Sequence, residues 1–78
     1  MRPTTYSELH DTYHVARVGE IVVTRREILD GTINPNGTFA RFRSYDRAAA
    51  VAEEWRREGY HVSAFRVLSD DQSEPVRF

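Results

Sequence analysis

Residues 44–59, Ser-Tyr-Asp-Arg-Ala-Ala-Ala-Val-Ala-Glu-Glu-Trp-Arg-Arg-Glu-Gly, leave the chain little choice of local structure. Ser44 is placed to cap a helix, because its hydroxyl can accept from an otherwise unpaired N–H of the first turn. Asp46 follows at the positive end of the helix dipole. Three consecutive alanines, Ala48, Ala49 and Ala50, have the best intrinsic helix propensity. Ala48, Val51, Ala52 and Trp55 recur at the spacing of one helical face. Gly59 stands where a left-handed residue closes a helix. Trp55 lies on the apolar stripe, so it is expected in the core, where burying such a ring stabilises by about 2–3 kcal/mol.

The rest of the chain must give this helix a surface to pack against, and it reads as strands. Tyr13–Val18 is rich in aromatic and β-branched residues. Gly19-Glu20 fits a two-residue hairpin turn, with Ile21–Arg26 returning as the second strand. Residues 24–31 allow two readings. The preferred one is a strand that runs to Leu29 and bends near Asp30-Gly31; the other is a single helical turn after a Thr24–Glu27 capping box. Asn34-Pro35-Asn36-Gly37 is a turn sequence, since Pro pre-sets φ and Asn-Gly supplies positive φ. Thr38–Arg43 is the third strand. Tyr60–Leu68, after the helix, is the fourth.

The expected fold is therefore a single small α+β domain: an antiparallel three- to four-stranded sheet in β-β-β-α-β order, with one main helix on one face. Residues 1–11 are expected to be loosely ordered, 12–68 to form the domain, and 69–78 to be a polar, acidic, mobile tail. The expected core comprises Val15, Ile21, Val23, Phe42, Val51, Ala52, Trp55, Val62 and Leu68. A chain of 78 residues supports one such core and a modest stability.

Composition narrows the chemistry. The chain has no cysteine, which removes disulfides and thiolate metal sites. No apolar run approaches the ~20 residues of a membrane span, and Met1–Tyr6 lacks the apolar region of a signal peptide, so a cytoplasmic location is expected. His10 and His14 are four apart, but no third ligand accompanies them, and solvent-facing histidines are the simpler explanation. No phosphate loop, Gly-x-Ser-x-Gly elbow or His-Glu-x-x-His motif is present. The sequence implies no enzyme, no cofactor and no metal.

What remains is charge. The net charge is −1, and the eleven basic residues are all arginine. Residues 12–45 carry five arginines against three acids, and residues 46–78 five against seven. Strand alternation allows Arg17, Arg25, Arg41 and Arg43 to share the sheet face away from the helix, with Phe39 among them. Basic groups interleaved with an aromatic on a sheet fit a single-stranded nucleic-acid platform; a solvated antiparallel face would be charged as well. Asp46, Glu53, Glu54 and Glu58 form an acidic helix surface that could mimic phosphate in a partner's basic groove.

Ser44–Ala48 through Gly59–Val62 is similar to a helix-Gly-strand unit that recurs in many small bacterial and phage modules. In its size, its lack of a catalytic motif and its compact α+β layout, the whole chain resembles the small phage-type inhibitors grouped as anti-CRISPR proteins. The resemblance implies a non-enzymatic inhibitor that binds a larger nucleic-acid-handling complex, such as a CRISPR surveillance complex. It assigns no residue a role, because that group shares no motif. A three-stranded sheet followed by a helix also resembles the arm-type DNA-binding domains of integrases, apart from the strand after the helix. A small nucleic-acid-binding module is the competing expectation. Either could be a monomer or, through Phe65 and Val67, a homodimer.

Overall fold

The computed structural model describes residues 4–5, 17–69 and 71–78. The described residues form an α+β domain with one helix on an antiparallel sheet. In chain order the elements are β1 (Thr4–Thr5), β2 (Ile21–Leu29), β3 (Thr32–Phe42), α1 (Tyr45–Arg57), β4 (His61–Val67) and β5 (Ser73–Pro75). The sheet order is β1-β3-β2-β4-β5. Val15, His10 and His14 lie outside the described residues, as does most of the expected Tyr13–Val18 strand.

The helix forms as its sequence dictates. Ser44 is extended (φ −92°, ψ 125°) and accepts from the Arg47 N–H. At the other end Gly59 has φ +97°. Its N–H donates to the Arg56 carbonyl (3.0 Å) and that of Tyr60 to the Trp55 carbonyl (3.1 Å). These two bonds are the Schellman closure, which satisfies the last carbonyls. Ala48, Ala52 and Trp55 are buried, and Val51 is half-buried.

Strand β2 is the centre of the sheet. Ile21–Arg26 pairs with Phe42–Gly37 of β3 on one side and with Arg66–His61 of β4 on the other. Both edges are thus occupied, which overturns the expected hairpin between Tyr13–Val18 and β2. Arg17–Glu20 is instead a tight turn: Glu20 N–H donates to the Arg17 carbonyl (3.0 Å), and Gly19 takes φ +92° at the third position. That is type II geometry, not type II′. Gly19 N–H and Glu20 C=O both bond to Val67, extending the β2–β4 ladder.

The hairpin between β2 and β3 turns at Asp30-Gly31, with Leu29 opposite Thr32. Both turn residues have positive φ (52° and 76°), as a type I′ turn requires. The preferred extension of the strand to Leu29 is observed. Asn34-Pro35-Asn36-Gly37, expected as a turn before the third strand, lies inside β3. Arg26 pairs with Gly37 and Ile28 with Ile33, so Asn34-Pro35-Asn36 bulges out opposite Glu27 alone. Asn34 Oδ1 accepts from the Asn36 N–H (3.0 Å), so the local turn chemistry is intact. A bulge also accommodates Pro35, which has no N–H to give a ladder.

Two apolar clusters flank the sheet. On the helix side Ile21, Val23, Ala40 and Phe42 meet Ala48, Ala52 and Trp55, with Val51, Val62 and Ala64 at the margin. On the other face Val22, Phe39 and Val67 are buried, with Phe65 beside them. Thr24 is buried there as well, its hydroxyl hydrogen-bonded to that of Ser63 (2.6 Å). Leu68, expected in the core, is exposed. The β4 strand stops at Val67, and the Leu68 and Ser69 N–H groups turn back to the Gln72 carbonyl. The C-terminal segment is also unlike the mobile tail expected: β5 pairs with β4, and Val76 N–H bonds to the Ala64 carbonyl (3.0 Å). Val76 and Phe78 then pack on the helix-side core, and Tyr45 donates to the Arg77 carbonyl (2.7 Å).

Gly37 is the position where the bulge admits no side chain. A Cβ there would collide with the Arg25 carbonyl oxygen and crowd Arg26 Cγ. Gly37→Ala should therefore lower stability by about 1–3 kcal/mol, as overpacking against backbone does. Urea unfolding followed by Trp55 emission measures it. A loss below about 0.5 kcal/mol would mean that the bulge is not fixed as described.

Candidate interaction site

The candidate site is a groove of about 680 Å³ between the end of β3 and α1. Its floor is apolar: Ala40 and Phe42 from β3, Val51 and Trp55 from α1. Arg41, Arg43 and Arg47 line its rim together with Glu20 and Glu54. The cap positions Arg47, since Ser44 fixes the first helical turn that carries it. Glu20 is partly committed, as its carboxylate accepts from the Arg17 N–H.

The structure redistributes the arginines expected on one face. Register places Arg25 on the helix side of the sheet, opposite Thr38 and Val62. Its guanidinium lies 4.7 Å from the ring centroids of both Trp55 and Tyr60. Its Nε donates to Thr38 Oγ1 (2.9 Å). Arg41, in register with Val22, belongs to the opposite face. Phe39 is 5% exposed and cannot offer its ring to a base. Arg17 is exposed in the turn before β2, and Arg43 is exposed just past β3. The four arginines and Phe39 do not form one platform; Arg41 and Arg43 both contribute to the groove lining, although the Arg41 position faces away from the helix.

Asp46, Glu53, Glu54 and Glu58 are all exposed on the helix. Asp46 and Glu53 are seven residues apart, hence on one azimuth. Glu54 joins the groove. Reading the sequence missed Arg47 as a site residue; its place three residues after Ser44, on the turn that follows Arg43, was the available signal.

A second surface also was not foreseen. The β2–β4 register ends at Arg26 and His61, so the tip of the β2–β3 hairpin projects past β4. Ile28 and Ile33 face each other across it, with exposures of 48% and 44%, and Leu29 is 59% exposed.

Among the described residues no group of three or more His, Cys, Asp or Glu side chains could hold a metal ion, and no helix is long and apolar enough to cross a membrane. No family model, curated protein or solved structure matches the chain.

The Arg25 sandwich is testable by substitution. Each cation–π contact contributes about 0.5–2 kcal/mol. Arg25→Met should cost about 1–3 kcal/mol. Arg25→Lys should recover only part of that, because a compact ammonium cannot span two rings and reach Thr38. Denaturant midpoints give both values; an Arg25→Lys variant as stable as the parent would remove the planar group from the argument.

Proposed function

We propose that the chain is a non-enzymatic binding protein that inhibits a larger nucleic-acid-handling complex, of the CRISPR surveillance kind, by occupying one of its surfaces. The observation that carries this reading is the hairpin tip. Two large aliphatic side chains, Ile28 and Ile33, are exposed together on one face of a two-stranded projection, and Leu29 is exposed on its other face. Clustered exposed apolar groups of this kind mark interaction surfaces. The exposed acids on α1 add electrostatic complementarity to a basic, nucleic-acid-binding partner, which would steer encounter.

The competing reading, direct nucleic-acid binding through an arginine-bearing sheet face, has lost the geometry that motivated it. Arg25 is enclosed beside Trp55 and Tyr60, and Phe39 is buried.

The test combines Ile28→Asp with Ile33→Asp. Target-DNA binding by purified CRISPR surveillance complexes is measured against increasing wild-type or variant protein. The wild type should block binding, and the variant should need at least about tenfold more protein, as loss of two anchor side chains implies. Inhibition that is unchanged in the variant removes the hairpin from the interface. No inhibition of any complex, together with tight binding of the protein to free nucleic acid, overturns the proposal.

A further inference from the structure

We infer that the groove between β3 and α1 binds an extended peptide segment of a protein partner, with an acidic residue at one end and apolar side chains along its middle. This site is separate from the hairpin tip and does not depend on it. Length argues for a linear occupant. The helical lining runs from Ser44 to Trp55, which at 1.5 Å per residue is about 16 Å. That distance matches about five residues of extended chain at about 3.3 Å each.

Charge fixes the kind of segment. At one end the groove carries Arg43 and Arg47, both exposed, beside Glu20, whose carboxylate is bonded to the Arg17 N–H, so that positive charge is in excess there. Arginine's planar donors suit a carboxylate held by two bonds. Further along, the lining is Phe42, Val51 and Trp55, which offers aliphatic side chains an apolar floor. At the far end stands Glu54, about 10 Å along the axis from Arg47. A nucleic-acid strand carries a phosphate on every residue and would bring one to Glu54. A peptide can carry its acid at one end only, and a lysine or arginine at the other would meet Glu54 favourably.

Trp55 is the chain's single tryptophan and lines this groove, so its emission reports occupancy directly. The full chain is titrated with the blocked pentapeptides Asp-Leu-Ala-Leu-Lys and Lys-Leu-Ala-Leu-Asp, with uncharged Asn-Leu-Ala-Leu-Gln, and with a short oligothymidylate. One of the two charged peptides should produce a saturable change with Kd of about 1 mM or tighter. The uncharged peptide should bind at least about tenfold more weakly, as should the charged one to Arg43→Gln/Arg47→Gln, since two charge-assisted bonds are lost. Circular dichroism verifies that the variant folds, and the wild-type titrations decide the matter if it does not. The Ile28→Asp/Ile33→Asp protein should bind the peptide unchanged, which separates this site from the hairpin. Absence of saturable binding by both charged peptides, equal binding of the uncharged one, an unaffected arginine variant, or stronger binding of oligothymidylate would each overturn the inference.

Discussion

Arg25 is the residue on which four elements converge. It belongs to the central strand, yet it points at the helix, between Trp55 at the end of α1 and Tyr60 just before β4. Thr38 of β3 accepts its Nε–H. Removing part of a guanidinium from water is costly unless other groups replace the lost hydration. Here two ring faces and a hydroxyl do so. The arginine thereby links α1, the residue before β4, and β3 to β2 at one level of the sheet. The aliphatic core lies beyond it, at Ile21 and Val23, where Arg66 of β4 stands opposite Ile21 on the same face.

The helix was fully legible, because three independent signals agree there: a cap, an apolar period and a terminal glycine. They are local, and local chemistry is what a sequence displays most openly. Asn34-Pro35-Asn36-Gly37 shows the limit of such signals. The Asx turn it forms is the same in a hairpin end and in a bulge, and only the partner strand decides between them. Asp30-Gly31 carried an equally good hairpin signal, and it is the one that the chain uses.

Long-range order was the harder part. That β2 is flanked by β3 and β4, leaving no edge for residues 13–18, follows from pairing across more than forty residues, as between Ile21 and Arg66. No window of sequence contains that choice. The candidate site suffered from the same gap. Thr24-Arg25-Arg26 alternates correctly under either facing, so the sequence did not determine which arginine meets the helix. Phe39 sits beside Ala40 on a strand buried on both faces, where alternation ceases to discriminate. The tail could have been better read: Glu74, Val76 and Phe78 alternate with Pro75 and Arg77, and the acidic residues before them obscured a short apolar strand face.

The central position of β2 also governs the order in which the sheet can be assembled. Its pairing with β3 closes through a two-residue turn, a local event on the microsecond scale for isolated hairpins. Its pairing with β4 must wait until the intervening β3, turn and helix have been traversed, so that loop entropy is spent before any contact repays it. Helix and hairpin are each stabilised by their own turn chemistry, at Ser44 and Gly59 in one case and at Asp30-Gly31 in the other. Docking α1 across the hairpin shortens the effective loop to β4, and β5 has no strand to pair with until β4 is in place. This topology predicts that the chain condenses outward from one hairpin and one helix, with the C-terminal strand last to be recruited.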